Sequence, residues 1–247
     1  TIAILLFSWN VFSQGIQFEI GSWKEVLQKA KQENKLIFVD LYTTWCGPCK
    51  KMAAETFPQQ AVGDYFNKNF VNYKIDAEKG EGPELAGKYE VSAYPTLVFV
   101  NAAGELVYKF MGVRTADKLI AEGEKAVRLY ALAPSIAAME KEYEQGKRGK
   151  VFLGEYYALL KESGAGGGIV LNEYLKCLSD EELLLEENVS NIGNISIFDP
   201  VLFDRLVKGI KKVEGENNKL GNRLNTSVMK SLSACFATCV KEKDEKA

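Results

Sequence analysis

Apolar positions fall into two rhythms along this chain of 247 residues. Residues 35–42, KLIFVDLY, are apolar at almost every position, which predicts a strand covered on both faces. FVNYKID (70–76), PTLVFV (95–100) and ELVYKF (105–110) predict three more, the last two joined in a hairpin by NAAG. Between the strands, apolar residues return every three or four positions. Ser22 and Glu25 form a capping box ahead of Trp23, Val26, Leu27 and Ala30. A helix is predicted from about Pro48, broken or bent at Phe57-Pro58 and resuming with Val62, Tyr65 and Phe66 inward. A shorter one turns Leu85, Ala86 and Tyr89 inward, and another runs from Thr115 to about Leu132. The order after the first helix is β-α-β-α-β-β-α. Crossover helices imply parallel pairing early, and the hairpin implies antiparallel pairing at the end.

After Pro134 the strand signal fades. Amphipathic stretches at 135–145, 151–162, 169–178, 180–189, 200–213 and 217–241 predict an all-helical second domain of antiparallel hairpins. SGAGGG (163–168) interrupts it. Ser179 and Glu182 make a second capping box, and Asp199-Pro200 reads as an N-cap followed by a first-turn proline. No internal period is clean enough to name a repeat. The fold class expected is therefore an α/β unit at 14–132, a central mixed sheet covered by helices, followed by an all-α unit at 133–247.

Residues 1–13 are read apart from both. Ile2–Phe7 is apolar but too short to span a bilayer, and Val11 and Ser13 sit where a signal peptidase site needs small or aliphatic residues. The expectation is the tail of a secretory signal, cut after Ser13. The mature protein would then work in an oxidising compartment, periplasmic or secreted, and would not span a membrane. The alternative is a buried first strand or helix. Three Asn-x-Ser sequons (Asn188, Asn194, Asn225) are at chance frequency.

Composition narrows the chemistry. A net charge of −2 gives no reason to expect nucleic acid or an anionic membrane as partner. The complete lack of histidine excludes Ser-His and Cys-His nucleophilic pairs and every histidine metal site. Carboxylates, Lys, Tyr and Cys remain.

Two of the five cysteines, Cys46 and Cys49, lie two residues apart where a strand ends and a helix begins. The first would sit at the helix N-terminus, where free N–H groups and the macrodipole favour a thiolate. The second, a turn further in and less exposed, would attack the resulting mixed disulfide. Gly47 and Pro48 keep the turn tight. A zinc site would want a second ligand pair, which is missing, so no metal is expected. A purely structural bridge has no need of Trp45, Lys50 or the strand–helix setting. Cys177, Cys235 and Cys239 are read as buried apolar thiols, with a disulfide among them or an auxiliary redox or soft-metal site as alternatives.

VDLYTTWCGPCKKM and YPTLVFVNAAGELVYKFMG resemble the two halves of a thioredoxin over about Gly21 to Leu132. LIFVDLYTTWCGPCKKMAAETF is most similar to the secreted branch, which includes the periplasmic C-terminal domain of the transmembrane disulfide reductase. The resemblance implies a dithiol–disulfide oxidoreductase with no cofactor beyond the Cys46–Cys49 disulfide. Its partners would be protein thiols and disulfides, with a membrane-embedded electron donor. Cys46 would be the exposed attacking cysteine and Cys49 the resolving one. Trp45 would be an apolar lid. Asp40, six residues before Cys46, would be buried, with a raised pKa, and relay the Cys49 proton. Where the family often keeps a lysine for that carboxylate stands Asn72, and Lys74 on the same strand face would replace it. Pro95, after Tyr94, would be the cis proline facing the cysteines; Tyr94 and Thr96 would flank a substrate groove with Gly112 leaving room beyond it. Gly47-Pro48 offers the thiolate no side-chain donor, so the pair is expected to give electrons. The competing readings are a scaffold whose helical half recruits a partner, and an oxidase or isomerase on the same fold.

Overall fold

The computed structural model describes residues 15–195, 199–216 and 218–244; residues 214–216, 218 and 234–244 are described by backbone only. The expected cut after Ser13 lies outside the described residues, and so do the Cys235 and Cys239 side chains. Chain packing divides the protein into two compact units, Thr1–Ala131 and Leu132–Ala247.

In the first unit the elements follow the expected order: α1 (Trp23–Glu33), β1 (Leu36–Tyr42), α2 (Gly47–Lys51), α3 (Gln60–Asn69), β2 (Phe70–Asp76), α4 (Gly82–Lys88), β3 (Thr96–Val100), β4 (Leu106–Met111) and the start of α5 (Ala116–Glu144), whose residues from Leu132 on belong to the second unit. The sheet order is β2-β1-β3-β4, with β1 parallel to β2 and antiparallel to β3, and β3 antiparallel to β4. The continuous apolar run of β1 thus belongs to a central strand. Because strand side chains alternate, Ile37, Val39 and Leu41 pack with Val26, Ala30, Leu85 and Tyr89 on one face. Leu36 and Phe38 pack on the other with Met52, Phe57, Val62, Phe66, Phe99 and Leu119. Phe38 meets Phe66 at 4.7 Å and Phe99 at 5.3 Å between ring centroids, and Phe70 meets Phe99 at 5.2 Å. Each such pair adds roughly 0.5–1.5 kcal/mol beyond the area it buries. The same alternation puts Asp40 on the Phe38 face, beneath the helix that starts at Cys46.

Three local features depart from the expectation. After α2 the helix widens into a π-helical turn, Met52–Thr56, before breaking at Phe57-Pro58. Residues 16–19 run beside β2, with a parallel bridge Glu19–Tyr73 and the Glu19 N–H donating to the Asn72 carbonyl at 2.8 Å. The helix expected to end near Leu132 continues through Pro134 to Glu144. Proline there removes the N–H that would bond the Tyr130 carbonyl. Both residues lie on an exposed face, so water can satisfy the freed group.

The second unit is helical, as read: α6 (Lys150–Ser163), α7 (Gly168–Lys176), α8 (Asp180–Leu183), α9 (Glu186–Ile192), α10 (Pro200–Glu216) and α11 (Asn218–Asp244). Its core joins Phe152, Leu153, Tyr156, Tyr157 and Leu160 of α6 with Val170, Leu171 and Leu175 of α7, Val189 and Ile192 of α9, Leu202 and Leu206 of α10, and Leu224 and Val228 of α11. Both capping boxes form, and Asp199 Oδ1 accepts from the Val201 and Leu202 N–H groups at 3.0 and 3.1 Å. Cys177 is not buried: it is exposed and free, its thiol donating to the Glu173 carbonyl at 3.4 Å. It is the C-cap of α7 and takes no part in the core that Leu171 and Leu175 join.

Candidate functional site

The site sits where β1 delivers the chain into α2. Cys46 is the N-cap of that helix, extended at φ −70°, ψ 107°, and its Sγ accepts the Cys49 N–H at 3.0 Å. A helix start has N–H groups without intrahelical partners, and here one of them is spent on sulfur. Pro48 has no N–H to leave unsatisfied. Cys46 and Cys49 are joined in a disulfide, Cα atoms 5.3 Å apart. Cys46 was expected to be the exposed member. It is 2% exposed and Cys49 5%, so in the oxidised pair both cysteines are buried. Gly47 and Pro48 form the exposed crest, and a side chain at 47 would meet nothing within 4 Å.

Beneath Cys49 lies a cavity of about 250 Å³ lined by Asp40, Tyr42, Thr43, Thr44, Cys49, Lys50, Ala53 and Lys74. Asp40 is 3% exposed, and its Oδ1 has no hydrogen-bond partner among the described residues. Burial pushes its carboxyl from 3.8 up to about 7, against the opposing pull of the Lys74 charge. Lys74 is the register partner of Asp40 across β1 and β2, so the two side chains share a face. Its Nζ lies 5.0 Å from the Tyr42 ring centre and 5.7 Å from that of Phe18. Asn72 is buried, with Nδ2 donating to Asn67 Oδ1 at 3.0 Å. It therefore supplies no charge to Asp40. Thr43 sequence reasoning missed. It is 1% exposed, with its hydroxyl unpartnered among the described residues, and nothing in a threonine before Trp-Cys signals that placement.

The Tyr94–Pro95 bond is cis. Gly112 N–H donates to the Pro95 carbonyl at 2.9 Å, tying the end of β4 to this turn. Gly112 has φ +90°, while a Cβ there would meet only Arg114 Nη1, at 3.8 Å. Glycine is thus required for its backbone angle rather than for room. Thr96 does not flank an open groove: it is 1% exposed and its hydroxyl donates to the Ala93 carbonyl at 2.6 Å, bracing the turn from inside. Trp45 is 65% exposed. Its ring meets Tyr94 edge-on at 5.9 Å and 84°, and its indole N–H donates to both carboxylate oxygens of Glu78, at 3.0 and 3.1 Å. Glu78 also escaped the sequence reading. The fold brings Cys49 and Asp40 together around the cavity, with Cys46 joined to Cys49, and sets Trp45 against Tyr94, the residue before Pro95.

No group of side chains able to hold a metal ion occurs among the described residues. No described helix is long and apolar enough to cross a membrane.

A thioredoxin family model matches residues 16–125. Thioredoxin H4 of Arabidopsis thaliana is 38% identical over 95 residues, covering 38% of this chain and 75% of that protein. A protein disulfide-isomerase of Datisca glomerata is 31% identical over 88 residues, which is 36% of this chain and 17% of that protein. The chain thus spans less than a fifth of the length of that relative. Among solved structures, a candidate disulphide-isomerase from Bacteroides thetaiotaomicron is 50% identical and covers 46% of this chain and 94% of its own, with a TM-score of 0.43.

Proposed function

The chain belongs to the thioredoxin family of disulfide oxidoreductases, and from that premise we propose that it reduces protein disulfides outside the cytoplasm. Cys46 is the nucleophile, Cys49 the resolving cysteine and Asp40 the proton carrier. The observation that carries the reading is the cavity shared by Cys49 and a buried, unpartnered carboxyl whose pKa is raised to about 7.

The exchange starts from the dithiol. The Cys46 thiolate attacks one sulfur of a substrate disulfide, forms a mixed disulfide and expels the other substrate sulfur as thiolate. Asp40 takes the Cys49 proton through the cavity, and the Cys49 thiolate attacks Cys46 Sγ. The second substrate sulfur leaves. The substrate gains two electrons and two protons, and the protein is left as the Cys46–Cys49 disulfide. The family chemistry needs no cofactor beyond that disulfide. A dithiol donor must restore the reduced form, and we assign this to a membrane-embedded reductase.

The direction follows from what surrounds the thiolate. Strong oxidants over-stabilise it, which makes the disulfide eager to accept electrons. Gly47-Pro48 offers no side-chain donor, and a carboxylate beneath the pair opposes a second negative charge. The disulfide is then the favoured form and the dithiol a reductant. The extracytoplasmic assignment is supported by the apolar Ile2–Phe7 run alone. The 14–132 and 133–247 division is proposed as two independently folding domains, with the role of the second unassigned.

Equilibration with glutathione buffers tests the direction: a potential near −270 mV is expected, and one near −120 mV would make the protein an oxidant. Cys49→Ser should accumulate mixed disulfides with protein substrates through Cys46. Capture by Cys46→Ser through Cys49 instead would overturn the roles.

A further inference from the structure

Trp45 is exposed beside the disulfide, yet it is not free to swing. Its ring is pinned edge-on by Tyr94 at 5.9 Å, and its N–H is shared by the two Glu78 oxygens at 3.0 and 3.1 Å. Glu78 is itself aimed. Its backbone N–H donates to Asp76 Oδ1 at 3.1 Å, at the end of β2. The other Asp76 oxygen lies 3.2 Å from Lys79 Nζ, and the Ala77 N–H donates to the Tyr42 carbonyl at 2.7 Å, just before the Thr43–Cys46 segment. The turn after β2 is thus fastened to the end of β1, and it presents one carboxylate to one indole. The neighbouring charges, Asp76 and Lys79, offset each other. Glu78 faces no cation within ion-pair distance among the described residues, so its negative charge stays on the rim.

We propose that Glu78 is a positioning and specificity residue. It holds Trp45 against Tyr94, the residue before the cis Pro95, and its charge selects disulfides flanked by basic residues over those flanked by acidic ones. This rests on the disulfide-exchange reading of the site. Two separable roles follow from the chemistry of the carboxylate. As an acceptor it orients the lid, which an amide oxygen also does. As an anion it attracts a substrate cation and repels an acidic flank, which an amide does not.

The experiment uses the full chain and two model peptides. Each carries one disulfide, with lysine beside the cysteine in one and glutamate in the other. The ratio of kcat/KM for the basic over the acidic peptide should fall about three-fold in Glu78→Gln and about ten-fold in Glu78→Lys, as expected for rim charges that act on encounter more than on chemistry. Added salt should bring the ratios of the wild type and Glu78→Lys together, towards that of Glu78→Gln. The Trp45 indole N–H resonance, identified by its loss in Trp45→Phe, should exchange slowly with solvent in the wild type and in Glu78→Gln, and faster in Glu78→Ala. A peptide ratio unchanged in both charge variants overturns the selectivity. Equal indole exchange in all three proteins overturns the positioning role. If the wild type reduces neither peptide, the exchange reading of the site fails, and the indole measurement still decides whether Glu78 holds the lid.

Discussion

The two units of the chain differ in where they leave buried polar groups without a hydrogen bond. In the helical unit Ser231 is fully buried and donates to the Ile192 carbonyl at 2.5 Å, Ser163 donates to the Leu160 carbonyl at 2.8 Å, and the Asn188 amide donates to the Glu182 carbonyl at 2.8 Å. Each closes a helix end or joins two helices. In the sheet unit Asp40 Oδ1, Thr43 Oγ1, Asn72 Oδ1 and Asp76 Oδ2 are buried without a hydrogen bond among the described residues. All four lie on β1, on the turn that follows it, or on its neighbour β2. Leaving a buried polar group unpaired costs roughly 1–3 kcal/mol. Two of the four, Asp40 and Thr43, line the cavity that Cys49 also lines, while Thr56 and Thr96 of the same unit are satisfied by the Arg114 and Ala93 carbonyls. These two open groups thus gather near the disulfide, where an unpaired polar group can serve chemistry. In the helical unit Asn172 Oδ1 and Glu173 Oε2 are also buried without a hydrogen bond among the described residues; Glu173 Oε2 lies 2.7 Å from Arg148 Nε, and of Asn172 we have no physical account.

The sharpest way to break this contrast is to damage the helical core and watch the redox site. Leu171 is fully buried where α7 meets its neighbours. Leu171→Ala should cost about 2–5 kcal/mol through lost transfer energy and the cavity left behind. If the units fold independently, urea denaturation should show the loss in the helical transition alone, with the rate of Cys46–Cys49 exchange unmoved. A single shifted transition, with slowed exchange, would mean that the two units share one folding event.

Asp40→Asn should act in the opposite sense, and its effect is set by pH. In the folded chain Asp40 keeps its proton until about pH 7, whereas an unfolded aspartate gives it up near pH 4. Between those values the unfolded state binds fewer protons, so stability falls as pH rises, and the loss is complete above the folded pKa. The window corresponds to at most about 4 kcal/mol. Oxidised Asp40→Asn should therefore gain stability over the wild type above pH 7, with no such gain below about pH 4. The buried amide adds its own penalty, but that penalty is independent of pH, so the change in the difference is what denaturation should read. Resolution of a Cys46 mixed disulfide should slow in the same variant. A stability difference flat from pH 4 to 9 would remove Asp40 as a buried titrating group.

How far the sequence foretold all this depends on the kind of signal. β1 and β3 were legible because a central strand must be apolar on both faces. The caps at Ser22, Ser179 and Asp199 were legible because their chemistry is local. Asp40 could be placed because alternation from Phe38 carries it to the helix side. Cys46 and Cys49 were found by spacing, but not the burial of both, since burial is set by what packs over the pair and not by the spacing. The passage of α5 through Pro134 was missed because a local breaker gives way where the freed carbonyl meets water. Glu78 and Thr43 were missed for a different reason: a hydrogen bond from residue 45 to residue 78, or an empty hydroxyl in a cavity, leaves no periodic or motif trace.

Lys74 tests the smallest effect and the least legible substitution. The lysine that the resemblance led us to seek at position 72 is an asparagine bonded to Asn67, and the cation has moved two residues along the same strand face. From there Lys74 draws the Asp40 carboxyl down against the upward push of burial, while its ammonium rests near the rings of Tyr42 and Phe18. Its side chain is solvent-exposed, so the field it exerts is screened, and its removal should change the exchange rate at neutral pH by a few-fold at most. The informative quantity is the direction. Without the cation Asp40 holds its proton to higher pH, so the rise of the resolution rate with pH should begin later in Lys74→Met. Lys74→Arg, which keeps the charge, should restore the wild-type profile. Global stability should barely move in either. A profile unchanged in Lys74→Met would mean that Asp40 titrates without its help, and that the exchange of position 72 for 74 has no electrostatic consequence at the site.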